Sequence, residues 1–128
     1  MLIANPAGAP RQDDRKRSPS RADPRVQRVK DNLRRNPKLN AADLAKSVCM
    51  SRSRLDTLFK SEVGVSLGDY IREYRLELAR NWLASVELSV KEIAYKIGYE
   101  HPASFIRSFK SKFGMTPAVY RRSLAKEK

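Results

Sequence analysis

The sequence predicts an all-α fold, two helix-turn-helix units joined by a long central helix. Three observations carry this. The stretch from Asn40 to Ser66 recurs, with one added residue, from Ser89 to Thr116. Apolar residues within each copy return at intervals of three and four, the period of a helix with one buried face. Cap residues punctuate both copies: Asn40 and Ser89 at an entry, Gly64 and Gly114 at an exit.

The chain begins differently. Residues 1–24 hold Pro6, Pro10, Pro19 and Pro24, and almost no large apolar residue after Ile3. Such a segment cannot bury enough surface to offset its ordering entropy, so it is read as a flexible tail. From Arg25 to Arg35, Val26, Val29 and Leu33 lie at helical spacing and Pro37 stops the helix.

The first unit, 25–66, then shows its repeat. Asn40 is an N-cap with Asp43 three residues later, the pattern of a capping box. Leu44, Ala45 and Val48 form one helical face, and the turn falls at Cys49. Glycine would suit the positive φ expected there, so cysteine should cost on the order of 1 kcal/mol. The next helix starts near Ser51, with Leu55, Leu58 and Phe59 on one side. A linker helix, 67–85, follows. Leu67, Ile71, Tyr74, Leu78 and Trp82 make an apolar stripe along it, and Ser66 is its cap.

The second unit, 86–128, repeats the plan at an offset of 49, then 50. Ser89 and Glu92 answer Asn40 and Asp43, and Ile93, Ala94 and Ile97 answer Leu44, Ala45 and Val48. Gly98 occupies the turn, and the helix from about His101 carries Phe105, Phe109 and Phe113. Thr116-Pro117 opens a last helix, in which Val119, Tyr120 and Leu124 should pack inward and Arg121, Arg122 and Lys126 should be exposed. Trp82, Tyr70, Tyr74 and Tyr95 are read as core or core edge, and Cys49 as a buried or half-buried turn residue.

Composition narrows the function. Over 128 residues, 27 Lys and Arg oppose 14 Asp and Glu, a net charge of +13. The tail has five basic and three acidic residues, net +2, so +11 belongs to the rest. An excess of this size points to a polyanionic partner. The length excludes a large enzyme with a separate cofactor domain. One cysteine excludes an intrachain disulfide framework and a Cys-based zinc cluster, and one histidine argues against a His-rich metal site. No acid/base pair or nucleophile with a partner stands out, so no catalytic residue and no cofactor are expected. No apolar run approaches the ~20 residues of a membrane span, and the N-terminus lacks a secretory pattern, which gives a soluble, cytoplasmic reading with no membrane partner.

The outward faces carry the candidate site. Opposite Leu55 and Phe59 lie Ser53, Asp56, Thr57 and Lys60, with Ser51 and Arg52 at the helix start. Opposite Phe105 and Phe109 lie Ala103, Ser104, Arg107, Lys110 and Ser111, with His101 and Pro102 at the start. Small or polar side chains flanked by cations suit a helix that enters the DNA major groove. The eighteen residues from Leu67 to Ala84, roughly 27 Å by the helical rise, are of the order needed to hold two such helices about one duplex turn, roughly 34 Å, apart. One chain then supplies both half-sites, and the domain need not dimerise.

Ile93-Ala94, Ile97-Gly98-Tyr99, Phe105, Arg107, Phe109-Lys110, Phe113-Gly114, Thr116-Pro117 and Tyr120-Arg121, together with Leu44-Ala45, Met50-Ser51, Leu55, Phe59-Lys60, Gly64 and the helix from Tyr70 to Arg75, resemble the DNA-binding domain of the AraC/XylS family of bacterial transcription regulators. The resemblance covers roughly residues 25 to 124. It implies seven helices, adjacent major grooves of promoter DNA as the target, and recruitment of RNA polymerase. It puts base-reading positions at Ser53, Asp56 and Thr57, and at Pro102, Ala103, Ser104 and Arg107. Asp56 departs from the neutral or basic residue usual there. It either accepts from cytosine N4 or repels phosphate. Pro102 and Ala103 offer only apolar contact, which leaves Arg107 as the expected main polar reader, with a phosphate contact as its alternative. The alternative reading is a DNA-binding fragment of a larger effector-responsive regulator that acts mainly through RNA polymerase or effector-domain contacts.

Overall fold

The computed structural model describes residues 23–126, Lys126 by its backbone only. The expected tail therefore lies outside the described residues, except Asp23 and Pro24. Those two belong to the fold. Helix α1 is Pro24–Arg35, and the Asp23 carboxylate accepts from the Arg25 N–H at 2.8 Å. The helix thus starts one residue earlier than the sequence reading placed it, because proline needs no donor at the first turn and aspartate supplies the missing acceptor.

Six further helices follow: α2 (Ala41–Ser47), α3 (Arg52–Val63), α4 (Leu67–Ser85), α5 (Val90–Lys96), α6 (Pro102–Phe113) and α7 (Pro117–Lys126). The fold is all-α across the described residues. The repeat is visible bond for bond. Asn40 and Asp43 form a reciprocal capping box at 2.8 and 3.2 Å, and Ser89 and Glu92 form its equivalent at 3.0 and 2.9 Å. In the turns, Met50 N–H donates to Ala45 and Tyr99 N–H to Ala94 at the same place. Both turns thus wrap a left-handed residue, Cys49 at φ 57° and Gly98 at φ 112°. Glu100 is the added residue that shifts the offset from 49 to 50.

The buried residues fall into two clusters. The first joins Val26, Val29 and Leu33 of α1, Leu44 and Ala45 of α2, Leu55 and Phe59 of α3, and Leu67 and Ile71 of α4. The second joins Leu76, Ala79 and Leu83 of α4, Ile93 and Ala94 of α5, and Phe105 and Phe109 of α6. Helix α4 therefore serves two cores. At 100° per residue, Leu76, Ala79 and Leu83 lie roughly 120–180° around the helix from Leu67. The single stripe expected from Leu67 to Trp82 is replaced by two, one per face. Tyr74, Leu78 and Trp82 are only partly buried.

Four other expectations are corrected. Tyr95 is 43% exposed and Val119 39% exposed, because the second core is already filled by Phe105, Phe109, Phe113 and Tyr120. Cys49 is exposed, since a turn tip points its side chain away from the helices it joins. Arg121 is not a free surface cation. It donates to the carbonyl of Leu83 in the last turn of α4 and to those of Val86 and Leu88 in the loop that follows.

Candidate nucleic-acid interface

Two helices, α3 and α6, stand on equivalent supports. Phe59 and Phe109 are wholly buried at repeat-equivalent positions, and each anchors its helix from behind. Phe59 meets the edge of Tyr70 at 5.1 Å between centroids, and Phe109 meets Phe105, Phe113 and Tyr120 at 4.6–5.8 Å. With the apolar side fixed, the opposite side is forced into solvent. Gly64 and Gly114, both left-handed, end these helices.

On α3, Arg52, Ser53, Thr57 and Lys60 are exposed and Asp56 is half-buried. Ser51 is also exposed, but its hydroxyl is spent on the cap, accepting from the Arg54 N–H at 3.2 Å. Arg52 Nε sits 3.7 Å from Asp56 Oδ2, one turn along. The carboxylate thus has a cation beside it on the same face, a solvent-exposed pair of small energetic weight. Thr57 and Ser61 stand between two clefts. One, of about 480 Å³, is lined by Arg25, Met50, Ser53, Arg54 and Leu58, and the other, of about 560 Å³, by Arg52, Asp56, Lys60, Ser66 and Gly68. The outward side of α3 is a ridge with a groove on each flank.

On α6, Ala103, Arg107 and Lys110 are exposed, and Pro102 and Ser104 half-buried. His101 takes the N-cap position, but its side chain makes no cap bond; it is exposed. Arg107 Nη2 lies 3.4 Å from Ser104 Oγ, a long contact that leaves most of the guanidinium's donors open. Ser53, Asp56, Thr57 and Lys60 thus share the side of α3 away from Leu55, and Ala103, Ser104, Arg107 and Lys110 the side of α6 away from Phe105. Ser51, Arg52, His101 and Pro102 sit instead at the helix starts.

Sequence reasoning missed three cations beside them. Arg25 and Arg54 line the α3 cleft with Ser53 and Thr57. Arg72 of α4 shares a groove of about 460 Å³ with Arg107, Ser108 and Ser111. Arg25 and Arg72 sit on other helices, so no single-helix wheel could show them. Arg54 could have been found, since it is the immediate neighbour of Leu55 on the cationic helix.

Among the described residues no group of three or more His, Cys, Asp or Glu side chains is placed to hold a metal ion. No described helix is long and apolar enough to cross a membrane. A pair of equivalent helices with polar, cation-flanked outer sides, each behind a tight turn and a short capped helix, defines the class of two-headed helix-turn-helix DNA-binding domains.

Comparison with known proteins gives the family. The helix-turn-helix domain family matches residues 44–123. The chain belongs to this family, the AraC-type helix-turn-helix domains of transcription regulators, which are not enzymes. It is 34% identical over 109 residues to the HTH-type transcriptional regulator YtdP of Bacillus subtilis, covering 80% of this chain and 14% of YtdP. It is 35% identical over 103 residues to an AraC-like transcription regulator of Streptomyces lividans, covering 79% of this chain and 34% of that protein. Among solved structures, the DNA-binding domain of the global transcriptional factor AdpA in complex with a target DNA superposes with a TM-score of 0.75 at 26% identity, covering 83% of this chain and 96% of that one. The chain spans about a third or less of the length of these two curated relatives.

Proposed function

We propose that this chain is a sequence-specific DNA-binding transcription regulator that inserts α3 and α6 into adjacent major grooves of promoter DNA. The observation that carries the proposal is the doubled exposed face, small and polar, flanked by cations and backed by a wholly buried phenylalanine at the same position in each copy. Ser53, Asp56 and Thr57 read bases in the first half-site. Ala103, Ser104 and Arg107 read the second, with Pro102 as an apolar contact. Ser51, Arg52, Lys60, His101 and Lys110 lie toward the phosphates, and Arg25, Arg54 and Arg72 extend that set. The partners are double-stranded promoter DNA and RNA polymerase, the domain acts as a monomer, and its compartment is the cytoplasm.

The test is selection of bound duplexes from a random library at 0.15 M salt. Enrichment of one sequence with two half-sites about a helical turn apart is the expected result. Recovery of unenriched DNA would overturn the proposal. Arg107→Ala should weaken binding by about 1–3 kcal/mol and relax preference at one position of one half-site.

Asp56 favours a second reading, in which the chain is the DNA-binding part of a longer, effector-responsive regulator and partner contacts supply much of its hold on a promoter. A carboxylate on the reading face lowers affinity unless a cytosine N4 meets it. Nanomolar binding by the 128-residue chain alone would count against this second reading.

A further inference from the structure

One arginine touches both units. Arg75 lies near the middle of α4, where the buried residues change faces between Ile71 and Leu76. Its Nε donates to the carbonyl of Pro37 at 2.8 Å and its Nη2 to that of Leu39 at 3.0 Å. Those carbonyls belong to the loop that leads into α2 of the first unit. On the other side, the guanidinium lies against the α5–α6 turn of the second. A Cβ built on Gly98 would stand 2.8 Å from Arg75 Cζ and Nη2. Glycine is favoured at 98 by its φ of 112°, and it lets the guanidinium sit against the turn; a Cβ there would push the arginine head aside.

Arg121 supplies an internal control. It donates to Val86 and Leu88, the repeat equivalents of Pro37 and Leu39 at the offset of 49. In both units an arginine from the helix that follows the helix-turn-helix, α4 or α7, thus clamps the same loop. Arg75 also meets the α5–α6 turn of the second unit, while the hydrogen bonds of Arg121 all fall between Leu83 and Leu88. The clamp does not need that contact, so the Gly98 seat has a separate consequence. Among the described residues no carboxylate pairs with Arg75; its partners are the carbonyls, and burial pushes its pKa below the usual arginine value.

We propose that Arg75 is a positioning residue that fixes the relative placement of α3 and α6, and through it the half-site spacing that the protein accepts. This rests on the two-groove reading above. The lever is short but sufficient. Nineteen residues make α4 about 28 Å long, so a kink of about 15° at its middle moves one end by ~3.6 Å. That is close to one base-pair step of about 3.4 Å. Arg75 braces the helix at the step where it passes from one core to the other.

The experiment compares the selected duplex with two derivatives, one base pair longer or shorter between half-sites. The 128-residue chain should lose at least tenfold in affinity on either derivative. Arg75→Lys keeps a donor for the loop carbonyls but loses the planar fork against Gly98. It should bind the parent duplex within about tenfold of the unmodified chain, keep the base preference within each half-site, and show a spacing penalty under threefold. A folded Arg75→Lys protein with the full spacing penalty overturns the proposal, and a lowered melting temperature alone does not support it. Unmodified protein that binds all three duplexes equally overturns the two-groove reading instead. A second measurement stands apart from DNA. Spin labels placed by Lys60→Cys and Lys110→Cys, with Cys49→Gly, report the α3–α6 distance in the free protein. Arg75→Lys should broaden or shift that distribution, and an unchanged one overturns the proposal.

Discussion

At the scale of the residue, the two copies show which positions are under strain. Cys49 and Gly98 hold the same place in the same turn, yet only one is glycine. The left-handed backbone puts Cβ against the following carbonyl, so Cys49 carries a cost that Gly98 avoids. Its exposed side chain repays little of it. Cys49→Gly should therefore raise unfolding free energy by up to about 1 kcal/mol, measured by urea denaturation. A loss of stability would show that the thiol makes a contact of value.

Asp23 makes a second residue-scale case. Hydrogen bonds from the Arg25 side chain and backbone N–H hold its carboxyl at about 2, well below the ordinary 3.8. A depressed pKa means that the folded state favours the charged form. The stability it contributes is therefore present above the unfolded value of 3.8 and is lost as pH falls through about 2. The titration of the Arg25 amide, followed by NMR, should have its midpoint near the lower value. A midpoint at the ordinary carboxyl value would mean that the α1 cap does not form in solution. The sequence reading assigned Asp23 to the tail because a cap is recognised only with the helix it starts, and Pro24 had been counted with the other prolines.

At the scale of the element, packing decides more than propensity. Helix α6 turns on Phe109, whose ring lies within 6 Å of three other aromatic rings. Phe109→Ala should cost about 3–5 kcal/mol. Because the buried residues form two clusters, the damage should be local. Amides of α5 and α6 should lose hydrogen-exchange protection while those of α2 and α3 keep theirs. Equal loss in both units would mean that α4 couples the two cores into one cooperative block. The limits of these helices were open to sequence reading, since caps, glycines and apolar spacing are local signals. The two faces of α4 were not. Leu67, Ile71, Tyr74, Leu78 and Trp82 fit one stripe equally well, and only the position of the second core shows that Leu76, Ala79 and Leu83 are the buried set.

At the scale of the whole molecule, charge governs the approach to DNA. With a net charge of +13, affinity should fall by about a thousandfold or more between 50 and 200 mM salt if 6–10 phosphates are contacted. Fluorescence anisotropy on the selected duplex measures this. A drop of less than tenfold would leave too few phosphate contacts for two seated helices. The +13 charge is not spread as the linear sequence suggests. Arg75 and Arg121 are committed to backbone carbonyls, and Lys112 to Glu73 and Glu77. Arg25 and Arg72, from other helices, border the outward faces of α3 and α6 while each pairs with a carboxylate of its own segment, Asp23 and Asp69.

Read alone, the sequence determined the duplication, the seven helices, the capping boxes of both copies and the outward faces of α3 and α6. All of these follow from periodicity and from interactions spanning three or four residues, which the chain encodes locally. The division of labour among the arginines was decided by tertiary structure alone. A guanidinium's role depends on which carbonyl, glycine or cleft lies within a few ångströms of it, and for Arg75 those neighbours are more than twenty residues away along the chain.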